Sequence, residues 1–193
     1  MNGVRTRWRD AHACSIGHHG TMAAAIASLV IAAATAVVTP VRAQTLRIGR
    51  PAPGFTLPTL AGDSFSLARL HGHPVVLSFW ATWCPTCRTE MPDLALAGAA
   101  HAAEGLEIVA INADQAREAV IRYLKAFPAG SVSGLTHALD PANRVVSRYR
   151  IPVLPSAVFV DSAGIVRAIH HGAMTRAEMA MGLHAILPDN PQE

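Results

Sequence analysis

Two thiols, Cys84 and Cys87, stand three residues apart in the run Trp83-Cys84-Pro85-Thr86-Cys87. Cysteines at that spacing can close into a disulfide and reopen without moving the rest of a fold, so the chemistry they offer is redox exchange. The attacking species in such exchange is the thiolate, and an ordinary cysteine is only slightly ionised at neutral pH. The elements around the pair address that shortfall. Val75 to Trp80 is an apolar run that reads as a buried strand, and Pro85 to about Ala100 reads as a helix whose Ala/Leu positions repeat at three and four. Cys84 then falls at the first turn of a helix, where unpaired N–H groups and the helix dipole favour negative charge. Cys84 is the expected nucleophile, and Cys87, one turn along, can reach it to resolve a mixed disulfide. Pro85 suits the first helical turn, where its missing N–H has no intrahelical partner.

Other uses of a cysteine pair fit less well. A passive disulfide closing so short a loop removes little entropy from the unfolded chain. A zinc site needs four ligands, and no second CxxC or histidine pair stands at suitable spacing. His71-Gly72-His73 and His170-His171 invite a metal reading, but His71 and His73 fall in a loop before a strand, where solvated histidines are expected. Neither a metal nor any other cofactor is expected beyond the redox-active disulfide Cys84–Cys87 itself.

The first forty-odd residues carry a different message. Arg5, Arg7 and Arg9 precede Met22 to Val38, an uncharged apolar stretch of 17 residues, and the small residues Val41 and Ala43 follow it. This is the pattern of a signal peptide over residues 1–43, cut after Ala43, with residues 44–193 as the mature domain. Because 17 apolar residues sit at the short end of what spans a bilayer, an uncleaved membrane anchor is the alternative. Both place the domain in the periplasm or otherwise outside the cytoplasm. Arg5, Arg7, Arg9 and Arg42 are four of the 16 basic residues and Asp10 is one of the 13 acidic ones, which leaves twelve of each in residues 44–193. The mature part is formally neutral, so its charge gives no reason to expect a nucleic-acid partner. Cys14 lies in the leader, so the mature part keeps only the close pair. Its 150 residues fit one domain with a real core.

Short apolar runs alternate with amphipathic ones along that domain. Phe55-Thr-Leu and Ser64-Phe-Ser-Leu read as short strands around the turn at Ala61-Gly62-Asp63, and Leu106 to Asn112 as a strand rich in β-branched residues. Gln115 to Phe127 reads as a helix closed by Pro128 and Gly130. A weak strand, Leu135 to Leu139, precedes Asp140-Pro141, which has the look of an N-cap with proline at the first position of a helix ending at Tyr149. Ser156 to Val160 and Ile165 to His171 form a hairpin, and Thr175 to Leu187 a terminal helix. Strands alternating with helices imply an α/β fold with a central mixed sheet flanked by helices and an N-terminal β-hairpin extension.

Trp80-Ala-Thr-Trp-Cys-Pro-Thr-Cys-Arg-Thr-Glu-Met-Pro92 resembles the active-site segment of the TlpA/ResA/CcmG-like thiol-disulfide oxidoreductases, the exported branch of the thioredoxin superfamily. Ile48 to Leu57 is similar to the start of those domains, and Tyr149 to Asp161 to the segment around their cis-proline, so the resemblance covers nearly all of residues 46–187. It implies a thioredoxin-like fold and a protein-disulfide reductase. Glu90, three residues after Cys87, matches a family glutamate implicated in proton handling; a solvated helix charge is the alternative. Thioredoxin has a buried aspartate where this chain has Ser78, so a carboxylate for proton transfer must come from Glu90. Pro155 matches the cis-proline facing the dithiol, and Leu154 before it matches the residue that pairs with substrate backbone. Val153 stands where the family often has glycine, which narrows the rim. Trp83 either shields the dithiol and offers apolar contact or packs in the core. The implied substrate-binding set is Trp83, Pro85, Thr86, Leu154 and Pro155. Pro92 is expected to kink its helix.

The resemblance favours reduction of a protein disulfide, and Pro85-Thr86 is a dipeptide seen in some cytochrome c maturation members. Apocytochrome c or a copper-site protein is the implied substrate, and a membrane thiol-transport protein of the DsbD type the implied electron donor. Two alternatives compete. A copper-delivery protein of this fold would use CxxxC with a distant histidine, whereas this chain has CxxC. A peroxiredoxin-like peroxidase needs Thr three residues before its reactive cysteine and Pro four before that; those places hold Ala81 and Leu77 for Cys84, and Cys84 and Trp80 for Cys87.

Overall fold

The structure, a computed structural model, describes residues 45–113 and 115–188. The leader, Cys14 and the cut after Ala43 lie outside these residues. In chain order the elements are β1 (Thr56–Pro58), β2 (Ser64–Ser66), β3 (Val75–Trp80), α1 (Pro85–Ala100), β4 (Glu107–Ala113), α2 (Arg117–Leu124), β5 (Thr136–Asp140), α3 (Arg144–Tyr149), β6 (Ser156–Val160), β7 (Val166–His171) and α4 (Arg176–His184). Five strands form one mixed sheet in the order β5-β4-β3-β6-β7, parallel from β5 to β3 and antiparallel from β3 to β7. Among the described residues no helix is long and apolar enough to cross a membrane.

The central strand explains the architecture. All six residues of β3 are buried, as its unbroken apolar run requires of a strand covered on both faces. Alternate side chains feed two cores. Val76 and Trp80 face α1, α2 and α4, with Cys84, Cys87, Met91 and Leu183. Val75, Leu77 and Phe79 face α3 and the N-terminal segment, with Phe55, Leu57 and Tyr149. Helix α4 lies so close to the sheet that a Cβ on Gly182 would come within 2.4 Å of the Phe159 ring. Only glycine permits that approach.

The N-terminal segment crosses the second face and covers both sheet edges. Gly49 and Ala52 donate backbone N–H groups to Val166 and Gly164 beside β7, and the β1–β2 hairpin reaches β5, where Leu60 N–H bonds the His137 carbonyl at 2.9 Å. Arg117 donates to the Thr59 and Leu60 carbonyls at 2.8 and 2.6 Å, fixing the hairpin to α2. Covered in this way, the sheet offers little bare edge for unwanted pairing.

Three helices have bounds that differ from the expected ones. Helix α2 begins at Arg117 and ends at Leu124, inside the predicted Gln115–Phe127 span: Ala116 is extended, and Gln115 uses its side chain elsewhere. Helix α3 does not begin at Pro141. Asp140 stays in β5, a turn follows it, and Asn143 in the left-handed region precedes the helix. The Asp140 carboxylate still caps that helix, but from across the turn, by accepting the N–H groups of Arg144, Val145 and Val146 at 2.9, 2.8 and 3.0 Å. Helix α4, expected over Thr175 to Leu187, runs from Arg176 to His184, with Thr175 as its cap in a capping box with Glu178. Helix α1 runs through Pro92 as one element.

Candidate active site

The dithiol sits where the sheet's central strand hands over to α1. The chain leaves β3 at Trp80, turns, and places Cys84 as the N-cap of α1 with an extended backbone and Pro85 at the first helical position. Cys84 N–H bonds the Ala81 carbonyl at 3.1 Å, and Cys84 Sγ accepts the N–H of Cys87 at 3.2 Å. The two sulfurs are joined in a disulfide. Both cysteines are buried, with 3% and 2% of their surface exposed. Exposure therefore does not separate their roles. Position does: Cys84 Sγ takes the place of a capping side chain and receives an orphan helix N–H, while Cys87 lies inside the first turn. The Thr86 hydroxyl adds a second polar contact to Cys84 Sγ, at 3.6 Å.

Glu90 is not a solvated helix charge. It is 6% exposed, on the buried side of α1 that also carries Cys87 and Met91, and its Oε2 accepts one hydrogen bond, from Met174 N–H at 3.3 Å. Burial pushes its carboxyl above the usual range; the Met174 bond and the charge on His170 pull it back in part. Arg88 and Asp93 do not pair with it. Arg88 bonds the Ala126 carbonyl and stacks over Tyr123 and Phe127, and Asp93 bonds Arg176. Ser78 is 3% exposed and lies on the same face of β3 as Val76 and Trp80, so no strand carboxylate stands there.

The loop before β6 comes alongside the end of β3, since Ser156 is in register with Phe79. The Leu154–Pro155 peptide bond is cis. Leu154 packs against both cores, while Val153 is 47% and Trp83 69% exposed. Trp83 is thus surface, not core. Ser156 Oγ donates to the Val153 carbonyl at 2.7 Å and has His171 Nδ1 at 3.0 Å. With its own proton used, it accepts from His171, which fixes the proton on Nδ1. Gly172 N–H bonds the Pro155 carbonyl at 2.9 Å. The end of β7 and the segment that follows it therefore touch the Pro155 loop through His171 and Gly172, and Glu90 through Met174, contacts with no signal in the sequence.

Three of the four histidines that suggested a metal have protein partners: His73 faces the Gly105 carbonyl and His170 the Ala173 carbonyl, at 3.3 and 3.2 Å, and His171 the Ser156 hydroxyl. Among the described residues no group of three or more His, Cys, Asp or Glu side chains is placed to hold a metal ion. Sequence reading also missed Gln115, which bonds the turn carrying Trp83. Its partner is 33 residues away, and no local pattern marks it.

The AhpC/TSA family model matches residues 48–169. The thiol-disulfide oxidoreductase ResA of Halalkalibacterium halodurans is 31% identical over 145 residues, which cover 74% of this chain and 79% of that protein. The thioredoxin-like protein YneN of Bacillus subtilis is 34% identical over 135 residues, 70% of this chain and 78% of that one. A Chlorobium tepidum structure described as a thiol:disulfide interchange protein DsbE superposes with a TM-score of 0.64 at 31% identity, covering 70% of this chain and 93% of its own. A secreted Mycobacterium tuberculosis disulfide oxidoreductase superposes at 0.60 with 29% identity, covering 68% and 96%. A cysteine pair at a helix start, on a thioredoxin-like sheet shared with proteins of that activity, leaves one conclusion: the chain belongs to the AhpC/TSA family and is a thiol-disulfide oxidoreductase of the ResA-like kind.

Proposed function

We propose that residues 44–193 act outside the cytoplasm as a reductase of protein disulfides, exported by the leader of residues 1–43, with Cys84 as nucleophile, Cys87 as resolving thiol and Glu90 as proton carrier. The observation that carries this reading is Cys84 Sγ at the N-cap, accepting the Cys87 N–H at 3.2 Å. In the reduced protein that N–H and the helix dipole stabilise a thiolate on Cys84. The thiolate attacks one sulfur of a substrate disulfide, forming a Cys84–substrate bond and releasing the other sulfur as a thiolate. Cys87 gives up its proton and attacks Cys84 Sγ, closing the Cys84–Cys87 disulfide and releasing the second substrate thiolate. Two electrons pass from the dithiol to the substrate. A carboxyl whose proton affinity is raised by burial suits the proton step, and Glu90 lies on the Cys87 side of α1.

Trp83, Pro85, Thr86, Leu154 and Pro155 make the substrate site in this reading, the first three exposed, Leu154 half-buried and Pro155 buried. Exposure of Trp83, Pro85 and Thr86 around the buried dithiol supports a large partner that supplies its own contact area. Apocytochrome c and copper-site proteins are the candidate substrates, and a membrane dithiol protein the candidate donor that re-reduces Cys84–Cys87. The Mycobacterium tuberculosis neighbour, described as secreted, supports the location. Peroxidase chemistry is not favoured, because neither cysteine has the Thr and Pro spacing it requires.

Substitution of each cysteine tests the roles. Cys84→Ser abolishes reduction of a protein disulfide, and Cys87→Ser accumulates a mixed disulfide visible on a non-reducing gel. Trapping by Cys84→Ser instead would reverse the assignment. Equilibration with dithiothreitol or glutathione buffers tests the direction: a potential near about −270 mV supports a reductase, and one near about −120 mV would make the protein an oxidant.

A further inference from the structure

The turn between β3 and α1 presents a large apolar side chain to the surface. Trp83 is 69% exposed and lies in neither core, so its position depends chiefly on the backbone that carries it. The strand ladder gives that backbone no help, because the last rung of β3 against β4 pairs Trp80 with Asn112. Two residues further on, the side chain of Gln115 takes over. Its Oε1 accepts the N–H of Thr82 at 2.7 Å, and its Nε2 donates to the Thr82 hydroxyl at 2.5 Å. Asn112 Nδ2 donates to the same Oε1 at 2.9 Å. A backbone N–H can only donate, which fixes the end of the amide that faces it. The amide oxygen meets the Thr82 N–H as a strand carbonyl would, while its NH2 takes the Thr82 hydroxyl, so the side chain holds the turn just past the strand's end. Asn112, 1% exposed within β4, anchors it.

Cys84 has separate supports, its N–H on the Ala81 carbonyl and its sulfur on the Cys87 N–H. Release of Thr82 thus frees Trp83 more than it disturbs the dithiol.

We propose that Gln115 is a positioning residue for substrate engagement: by clamping Thr82 it holds the Trp83 indole beside the dithiol, so that disulfides within proteins, large enough to rest on the indole, depend on it and small disulfides do not. This rests on the reading of Cys84 as nucleophile. A turn that must be ordered each time a substrate docks costs about tenfold in apparent affinity.

The test is single-turnover oxidation of the reduced, full-length protein by insulin and by glutathione disulfide. Gln115→Leu is expected to slow the insulin reaction about tenfold and the glutathione disulfide reaction less than twofold. In a Trp83→Ala background the same substitution is expected to slow insulin less than twofold, because the indole it serves is gone. Equal losses with both oxidants, an unchanged insulin rate, or a full loss without Trp83 each overturn the proposal. Should Gln115→Leu not fold, Thr82→Val, which removes only the hydroxyl contact, is read instead: a selective insulin loss of about threefold is expected, and no selective loss overturns it. Cys84→Ser run in parallel separates the two readings. Insulin reduction by that variant defeats the assignment of the nucleophile, whereas an inert Cys84→Ser beside an indifferent Gln115→Leu defeats only the clamp.

Discussion

On the sheet face covered by α3 and the N-terminal segment, the Asp140 carboxylate is fully buried and accepts three backbone N–H groups. On that face too the Tyr149 hydroxyl donates to the Pro53 carbonyl at 2.7 Å, and burial holds the phenol far above its ordinary range. On the opposite face, under α1 and α4, the Glu90 carboxyl has one hydrogen bond, at 3.3 Å, and burial raises its proton affinity. Both faces bury oxygen, but they satisfy it differently. A carboxylate that accepts three short backbone hydrogen bonds is tied to the helix it caps and so to the architecture. One buried with a single long donor has its proton affinity raised and adds little to the fold, which is the environment that suits the proton-carrying role proposed for Glu90.

Substitutions on the two faces should therefore separate stability from activity. Asp140→Ala leaves three helix N–H groups without a partner and is expected to cost about 3 kcal/mol in urea unfolding. The rate per folded molecule should stay within about twofold; a tenfold loss of rate with unchanged stability would erase the distinction between the faces. Tyr149→Phe removes one hydrogen bond and keeps the ring against Phe55 and Phe79. It is expected to cost about 1 kcal/mol, a lowering of roughly 2–4 °C in Tm, again without effect on turnover.

Glu90→Gln should have the smallest effect on stability, and of opposite sign. Because folding raises the proton affinity of Glu90 above its ordinary pKa of 4.5, the folded state holds that proton to higher pH than the unfolded chain does. The resulting stability is present at acid pH and lost as pH rises through the raised value. Glutamine cannot lose a proton, so the Tm of the variant should match the parent near pH 4, exceed it as pH rises, and keep a constant lead once pH has passed the raised value. Its thiol-exchange rate should lose the pH dependence that Glu90 imposes. A Tm difference that shrinks with rising pH would show that the buried carboxyl is not held protonated by its surroundings.

The sequence exposed this structure unevenly, for physical reasons that particular residues illustrate. Helix α1 could be bounded because Pro85 starts it and its small apolar residues repeat along one face, and β6 because five apolar or small residues follow a proline. Asp140 was recognisable as a cap but not its reach, because a left-handed Asn143 inserts a turn that no residue type demands. The cysteines carried their own chemistry in their spacing. Gln115, Met174 and His171 did not, since each acts through a backbone group or side chain brought close by the sheet order β5-β4-β3-β6-β7 and not by sequence neighbourhood. Trp83 illustrates the reverse limit: a tryptophan in sequence reads equally as core or surface until its surroundings are known.

The path of the N-terminal segment has a mechanical consequence. It joins the sheet at Gly49 and Val166, near the end where Val75 meets Val160, whereas the dithiol follows Trp80 at the other end of the same strand. Five strand steps, roughly 17 Å, separate the two ends. Any load arriving through residue 45 is taken up by the backbone pairs at Gly49, Arg50 and Ala52. The domain is thus anchored at one pole and reactive at the other: strain on the pairs at Gly49, Arg50 and Ala52 meets the β7 edge before it reaches the cysteines.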